Sequence, residues 1–321
     1  MSLPPLYVHV GAARHFLRWE LPHLRRHFRL IREPSNDAAL LAFGPDTIES
    51  GAALPATHRF LVQFPGFGHN PLHDLGVRAH DLEIFDASYD LVFVNPGPLQ
   101  LAYASSARMV LFPVSIDVDF VAPARNKYRT ELNSLLHVSS RTAQKDWERS
   151  ASIMKKTGFA SEVFPPLDSH TLVQKHTRAT RRVTALRAIG LRPAQPLPLG
   201  YVGHRETIAK YRSFDGFVHI ARDVGNKTMI DGKYTAALME AALTGAIVFW
   251  HDTLQLGNDF ETIFDAPVAT DAAAAFIRDV GTSIDVTTHS RATAEEMREK
   301  ADPRRSVEVR AERMLEVLST R

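Results

Sequence analysis

Two cations in segment 139–147 have the spacing of an anion-binding pair. Arg141 and Lys145 are four positions apart, so both side chains can converge on one anion from a helical turn or from the loop that leads into it. A pyrophosphate is the obvious ligand for such a pair. The same residues also fit an ordinary solvent-exposed helix start, and the spacing alone leaves both interpretations open.

A second feature that favours anion binding is predicted at residues 231–235, where a loop that contains glycine leads into a helix. Its residues are Asp231, Gly232, Lys233, Tyr234 and Thr235. The free N–H groups at a helix start attract phosphate, and glycine lets a ligand approach the backbone closely. The alternative is a structural turn of the kind that recurs in α/β proteins. Because both loops follow strands of one predicted sheet, we expect them to open on the same side.

One acid, Glu240, lies two helical turns beyond Lys233 and on the same face of the predicted helix. The apolar stripe of this helix consists of Ile230, Tyr234, Leu238 and Ala241. A carboxylate near such a rim can accept hydrogen bonds from ribose hydroxyls, as acids do in dinucleotide-binding folds. Pairing with a neighbouring basic residue is the alternative role for Glu240.

In the first half of the chain, a predicted turn contains a histidine that is a candidate for a catalytic role. His69 follows a predicted strand in segment 64–71, FPGFGHNP, which has glycines at positions 66 and 68. Histidine titrates near neutral pH, so His69 is a candidate for a general base or for a contact to a reacting group. The alternative is a surface turn with an incidental histidine.

The order of apolar segments predicts the elements that position these loops. Short, mostly continuous apolar runs alternate with helical segments, for example at 38–43, 59–64 and 109–114. Continuous runs are typical of parallel strands covered on both faces. We therefore predict an α/β protein with two Rossmann-like domains that face a central cleft, with the functional residues on the loops after the strands.

Residues 121–130 interrupt this alternation, because they are aperiodic, basic and contain a proline. The predicted divisions are a first domain at 1–120, a linker at 121–130, a second domain at 131–292 and C-terminal helices at 293–321. The last strand is expected at 266–270. Pro303 should bend or restart the final helix, which we expect to cross back towards the first domain.

The composition excludes several classes of protein. The chain has 321 residues, of which 45% are hydrophobic, and its net charge of +2 comes from 38 basic and 36 acidic residues. This balance argues against a protein defined by nucleic-acid binding. The absence of cysteine from the sequence excludes disulfides, thiolate zinc sites and cysteine nucleophiles. No apolar stretch is long enough to span a bilayer, and we expect a cytoplasmic protein without a nucleic-acid partner.

Together, these segments resemble the donor-nucleotide domain of GT-B fold glycosyltransferases, particularly the group 1 transferases. The resemblance covers residues 109–250 and is carried by LLHVSSRTAQKDW, PLGYVGHRETIAKYRSFDGFVHIA and DGKYTAALMEAALTGAIVFW. It implies that Arg141 and Lys145 hold the diphosphate of a nucleotide sugar and that Glu240 binds its ribose. Gly245 matches the glycine that follows this acid in the family.

The residues themselves predict further roles in such a transferase, from the helix-start amides, the turn at His69 and the glycines of the strand-end loops. The helix start from Gly232 to Thr235 would bind diphosphate, and either His69 or Asp231 would contact the reacting sugar. The acceptor would be contacted by loops containing Gly11, Arg14, Gly68 and Asn95.

No cofactor is expected besides the nucleotide-sugar co-substrate, and no metal. Asp117 and Asp119 have the spacing of the metal site of the other glycosyltransferase fold, but they fall where this family enters its linker. Cations and helix-start amides would instead stabilise the leaving diphosphate.

The sequence thus predicts a metal-independent glycosyltransferase that moves a sugar from a nucleotide-diphosphate sugar to a hydroxyl of a glycan, a lipid-linked glycan or a small acceptor, as in polysaccharide biosynthesis. Two alternatives on the same fold are a nucleotide-sugar epimerase and a catalytically degenerate partner subunit. The second is motivated by Gly232, because the family commonly carries an acid there.

Segment 14–27 is basic and rich in aromatic residues, which favours peripheral contact with anionic lipid at the inner face of a membrane. The alternative is that its apolar side belongs to the core and that its arginines are solvated. The basic run at 175–187 is open to the same two interpretations.

Overall fold

The computed structural model describes most of the two halves of the chain. The described residues are 2–11, 14–64, 69–112, 115–122, 128–139, 145–165, 178, 181–186, 188, 204–222 and 234–320. Two fully parallel sheets, each flanked by helices, make up this part of the molecule. The predicted α/β architecture with two Rossmann-like domains is confirmed.

The first sheet has the strand order β2-β1-β3-β4-β5-β6. Its strands are β1 (Pro5–Val10), β2 (Arg29–Ile31), β3 (Ala39–Phe43), β4 (His58–Gln63), β5 (Leu91–Val94) and β6 (Met109–Leu111). The α-helices along this part are α1 (Arg14–His27), α2 (Ile48–Ala52), α3 (Leu75–Ser88), α4 (Pro98–Ala102) and α5 (Val118–Val121). The order reverses direction at β1 and β3, and the loops after these strands open at the carboxyl edge, where ligands bind in such sheets.

The second sheet has the order β11-β10-β9-β7-β8. Its strands are β7 (Ser134–Val138), β8 (Ala160–Phe164), β9 (Gly216–His219), β10 (Ile247–Trp250) and β11 (Phe264–Asp265). The helices are α6 (Trp147–Thr157), α7 (His204–Ser213), α8 (Ala236–Leu243), α9 (Thr270–Ser283), α10 (Val286–Ala301) and α11 (Pro303–Ser319). The first described residues of α7 and α8 therefore face the same edge as the ends of β7 and β9.

Burial on both faces explains why the strands are continuously apolar. All five residues of β3 are buried: Leu41 and Phe43 pack into one core cluster, and Leu40 and Ala42 into another on the opposite face. The first cluster runs on through α11 into the second half of the chain. A separate cluster lies between the second sheet and helices α6 and α9.

The last strand was predicted in the wrong place. β11 is the two-residue strand Phe264–Asp265, and α9 already begins at Thr270, so segment 266–270 is not a strand. The N–H of Ala266 still bonds to the carbonyl of Trp250 at 2.6 Å. The next residue is Pro267, which has no N–H to continue the ladder.

The C-terminal helix contacts the first half of the chain. Asp302 caps α11 by accepting from the N–H of Arg304, and Pro303 is its first residue, where a proline costs no helical hydrogen bond. Farther along α11, Arg310 bonds to Glu20 of α1 at 2.5 Å, and both side chains are buried. The C-terminal helix is therefore fixed to the first helix by a buried ion pair.

Candidate functional site

The start of the predicted diphosphate loop is held by a buried histidine. The Nδ1 of His137 lies 2.7 Å from the carbonyl of Val218, so Nδ1 carries a proton and donates, and the Nε2 lies 2.8 Å from the Ser139 hydroxyl. His219 stacks on this ring with centroids 5.4 Å apart. The ends of β7 and β9 are thereby joined where the loop after β7 begins.

Lys145 lies at the far end of that loop, just before α6. The next residue, Asp146, has a left-handed backbone with φ of 40°, which non-glycine residues adopt at a cost. Its carboxylate accepts from the Nε of Arg149 at 3.0 Å, and from the N–H and Nε of Arg222, each at 3.1 Å. Burial alone would raise the pKa of Asp146, but the hydrogen bonds and charge of Arg222, with the hydrogen bond from Arg149, hold this pKa below its ordinary value. Arg222, half-exposed after β9, thus adds a cation to the rim that carries Lys145.

The described start of α8 connects the two halves of the molecule. Thr235 caps the helix by accepting from the N–H of Leu238 at 3.2 Å. The hydroxyl of Tyr234 donates to Asp259 at 2.6 Å. The carbonyl of Tyr234 accepts from the side-chain amide of Asn95, at the end of β5, at 3.4 Å. Asn95 and Tyr234, predicted on opposite sides of a cleft, are therefore in direct contact.

Glu240 is buried in the middle of α8 and has a basic partner. Its Oε1 lies 2.7 Å from the Nε2 of His204, the first described residue of α7. The predicted alternative of a pairing with a basic residue is therefore realised, with His204 as the partner. Only one carboxylate oxygen takes part in this bond, so the pairing does not exclude a ligand.

His69 belongs to a hydrogen-bonded group at the carboxyl edge of the first sheet. Its Nε2 bonds to Asp81 of α3 at 2.8 Å, and the same carboxylate oxygen accepts from the Tyr103 hydroxyl at 2.5 Å. Burial, followed by the charge of Asp81, raises the pKa of Tyr103 well above its usual range, so this hydroxyl stays protonated and donates. Because a carboxylate only accepts, the Nε2 of His69 carries the proton of this bond, and Nδ1 is the ring nitrogen that takes no part in it.

Several buried polar atoms at or close to the carboxyl edge of the first sheet lack a described partner. The Nδ1 of His69, both amide atoms of Gln63 and the Oδ1 of Asn95 are buried and have no hydrogen bond to any residue that the structure describes. Gln63 ends β4 and Asn95 directly follows β5. Buried polar atoms are almost always hydrogen-bonded in native proteins, so this edge has capacity to bind polar groups.

Gly11, just after β1, has a carboxylate close to its backbone. A Cβ at this position would lie 2.1 Å from the Oδ2 of Asp46, which follows β3. An exposed carboxylate therefore lies directly on the first strand-end loop.

Several predicted site residues lie outside the described part of the chain. These are Arg141, Asp231, Gly232, Lys233, Gly68 and, for its side chain, Arg14. Segment 175–187 is described only in part, and Ile230 not at all. Their predicted roles stay predictions.

The two acids near the linker have structural partners. Asp117 caps α5 by accepting from the N–H of Phe120, and Asp119 is exposed beside Arg298 at 3.6 Å. Throughout the described ranges, no group of three or more His, Cys, Asp and Glu side chains is arranged to hold a metal ion.

Helix α1 places its apolar side in the core. Leu17 and Leu24 are buried there, whereas Arg18, Arg25 and Arg26 are exposed. The residues that a lipid-binding helix would insert are thus already packed against protein. None of the helices that the structure describes is long and apolar enough to span a bilayer.

Three of these side chains were not predicted from the sequence. His204 lies 36 residues before Glu240 and Asp81 lies 12 residues after His69, so no local spacing joins either pair. Arg222 belongs to no sequence motif. It lies near Asp146 because β9 is next to β7 in the sheet. The contact of Arg222 could be predicted only with knowledge of the strand order.

Comparison with known proteins shows the same architecture. No protein-family model matches the sequence, and no curated protein sequence matches it. The structure is similar to that of HepE from Anabaena in complex with UDP-glucose, with a TM-score of 0.59, 12% identity and 100% coverage of both chains. A TarM variant from S. aureus, in a complex that includes UDP, has a TM-score of 0.58 and 14% identity, over 89% of this chain and 56% of TarM. A glycosyltransferase from Rickettsia africae has a TM-score of 0.51 and 11% identity, over 100% of both chains. These similarities show the GT-B fold.

Proposed function

We propose that this GT-B fold protein is a glycosyltransferase that moves a sugar from a nucleoside-diphosphate sugar to a hydroxyl of a glycan, a lipid-linked glycan or a small acceptor. The observation that carries the proposal is buried Glu240, which keeps one carboxylate oxygen for a ligand in a fold shared with HepE, a protein solved with UDP-glucose. UDP is therefore the first nucleotide to test.

On the donor side, Lys145 and Arg141 would neutralise the diphosphate, together with the helix start from Gly232 to Thr235. Arg222, held by Asp146 through its N–H and Nε, supports a further cation contact. During transfer the bond between the sugar carbon and the diphosphate oxygen breaks, and negative charge grows on that oxygen. Fixed cations and amides stabilise such a leaving group without a metal ion, so we expect transfer to proceed in the presence of EDTA.

On the acceptor side, the acceptor oxygen forms the new bond to the sugar carbon and loses its proton. The unpartnered Nδ1 of His69 supports a role as the base that takes this proton or as a contact to the donor sugar. Asp231 is the second candidate. The acceptor itself would be bound by loops that contain Gly11, Arg14, Gly68 and Asn95.

Thermal-shift screening against UDP, GDP, dTDP, ADP and CMP tests the donor site. A nucleotide present at 100 times its Kd should stabilise the protein by about 2.7 kcal/mol. The stabilising nucleotide then defines the nucleotide sugars to be assayed for release of nucleotide in the presence of acceptors. No shift with any nucleotide would contradict the proposal; conversion of the donor into its epimer, or binding without turnover, would favour the epimerase or the partner-subunit alternative.

Replacing Lys145 with Ala should weaken diphosphate binding by at least about tenfold, because hydrogen bonds to charged groups contribute about 1.5–3 kcal/mol. Isothermal titration with UDP measures this. Lys156→Ala is the matched control. Lys156 is a surface residue of α6, and its Nζ lies 2.6 Å from the Oδ1 of Asp271. Equal affinities of the two variants would remove Lys145 from the site.

A further inference from the structure

The hydrogen bond between His204 and Glu240 leaves the carboxylate with one defined direction for a ligand. The Glu240 side chain is 11% exposed and that of His204 is 30% exposed. An ionised carboxylate only accepts, so the Nε2–H of His204 must donate to Oε1. This bond restricts rotation of the carboxylate, and no described residue bonds to Oε2.

The ring of His204 also packs against two aromatic rings of the first half of the chain. Its centroid is 5.3 Å from that of Phe120 in α5 and 6.4 Å from that of Trp19 in α1. Trp19 is fixed in turn by its indole N–H, which donates to the carbonyl of Ser115 at 3.3 Å. The imidazole thus lies between the first half of the chain and the Glu240 carboxylate, with little freedom to turn.

The helix that carries His204 is tied to the same region. Arg212, two turns further along α7, donates to the carbonyl of Phe120 at 2.8 Å. Both the start of α7 and its last turns therefore contact segment 118–122. This attachment fixes where His204 stands relative to Glu240, so the direction of the carboxylate is set by the packing of α7 and not by α8 alone.

We propose that His204 is a positioning residue that aims the Oε2 of Glu240 at the ribose hydroxyls of the donor and thereby makes the site selective for ribonucleotides. The inference rests on the proposed function, in which Glu240 binds the donor ribose. A site built to bond to a hydroxyl discriminates strongly against a ligand that lacks it, because its buried polar group is then left unpaired. A carboxylate that is free to rotate would lose much of this discrimination.

The test compares the Kd values of UDP and 2′,3′-dideoxy-UDP by isothermal titration. The wild type should prefer UDP by about tenfold or more, the effect of one hydrogen bond to a charged group. His204→Leu and His204→Asn remove a donor that reaches Glu240, and they should bring the ratio below about threefold. His204→Gln, whose amide can take the place of Nε2, should keep the preference.

The matched control is His80→Leu, which breaks an exposed histidine–glutamate pair, His80–Glu49 at 3.0 Å, and should leave the ratio unchanged. Melting temperatures identify the folded variants. A full preference for UDP in either folded variant, Leu or Asn, would overturn the role of His204 while the proposed function stands. If another nucleotide of the screen binds in place of UDP, the comparison is made with that nucleotide and its form without the ribose hydroxyls. Failure of the wild type to bind any of the five nucleotides would contradict the proposed function itself and the inference with it.

Discussion

At the residue scale, the side chains at both rims are oriented by partners that are distant in sequence. Asp81 fixes the proton of His69, and His204 holds one oxygen of Glu240. In each pair the partner uses one polar atom of the functional group and leaves another available: Nδ1 of His69 and Oε2 of Glu240. A pair of this kind sets the direction of a group and keeps its capacity to bind.

The pair at the first sheet gives a prediction about turnover. Replacing Asp81 with Asn should lower the kcat of sugar transfer by at least about tenfold, because a neutral amide no longer favours the ring proton on Nε2. The Kd of the nucleotide should stay within about twofold, since the change leaves the second sheet intact.

The control for Asp81→Asn is Tyr89→Phe. Tyr89 packs in the same core cluster as Tyr103 and donates to the carbonyl of Ile48 at 2.7 Å, without contact to His69. This variant should have a lower melting temperature than the wild type but the same kcat. If Asp81→Asn also keeps full kcat, His69 has no role in proton transfer.

Glu296 gives a prediction about acid stability. Burial would raise the pKa of this carboxyl, but hydrogen bonds from the Thr262 hydroxyl at 2.6 Å and from Lys300 hold it below its ordinary value. A lowered folded-state pKa stabilises the protein above the unfolded-state pKa, about 4.3, and this contribution is lost as pH falls. Glu296→Gln should therefore cost roughly 1–3 kcal/mol at pH 7 and much less at pH 3.

Urea unfolding of the wild type and Glu296→Gln at both pH values measures that difference. Glu299→Gln is the control, because its partner Arg305 forms only an exposed pair with it. A loss of stability in Glu296→Gln that is equal at the two pH values would show that packing, and not charge, is responsible.

At the element scale, two helices of the second half end in a left-handed glycine. Gly158 follows α6 with φ of 82°, and Gly245 follows α8 with φ of 78°. Side chains are strained in this conformation, so both ends favour glycine. The surroundings differ: an added Cβ meets nothing within 4 Å at Gly158, but lies 2.8 Å from the Oγ of Ser290 at Gly245.

Because of this contrast, we expect a glycine-to-alanine substitution to lower the free energy of unfolding by different amounts at the two positions. Gly158→Ala should lower the free energy of unfolding by about 1–2 kcal/mol, the cost of left-handed backbone. Gly245→Ala should cost at least about 1 kcal/mol more, because it also displaces Ser290, whose hydroxyl donates to the Gly245 carbonyl and accepts from the N–H of Arg129. Urea unfolding of both variants checks the difference, and equal losses would contradict the crowding at the end of α8.

At the scale of the whole molecule, both halves are connected by buried charges as well as by apolar contacts. Arg310 of α11 reaches Glu20 of α1, which also accepts from the Ser115 hydroxyl. Arg129 is buried and donates to the carbonyls of Tyr211 and Thr244 at two helix ends, and burial lowers its pKa to about 10. The first contact joins the C-terminal helix to the first domain, and the second fixes Arg129, within the predicted linker, to the second half of the chain.

The Glu20–Arg310 pair predicts non-additive effects. Arg310→Met alone should cost about 3–5 kcal/mol, because it leaves Glu20 charged and buried. Glu20→Met with Arg310→Met should cost less than the sum of the single changes, as measured by urea unfolding. Arg305→Met, at an exposed pair, should change stability by less than about 0.5 kcal/mol. If the losses of unfolding free energy in the two single variants add up to the loss in the double variant, Glu20 and Arg310 are not energetically coupled.

The sequence determined which segments form elements, because the signals for strands and helix ends lie in neighbouring residues. The apolar run at 38–43 became β3, and Pro303 separated α10 from α11. The predicted strand at 266–270 is wrong because Pro267 has no N–H to continue strand pairing. The fold class followed from the alternation of these elements, since continuous apolar strands need cover on both faces.

Only the tertiary structure decided which side chains meet. Glu240 was visible as a candidate from its place on a helix, but its partner His204 comes from another helix, and His204 is held in turn by Trp19 and Phe120. The same is true of His69 with Asp81 and of Asp146 with Arg222. Periodicity and caps are local properties of the chain, whereas convergence of side chains depends on strand order and on how helices pack across the molecule.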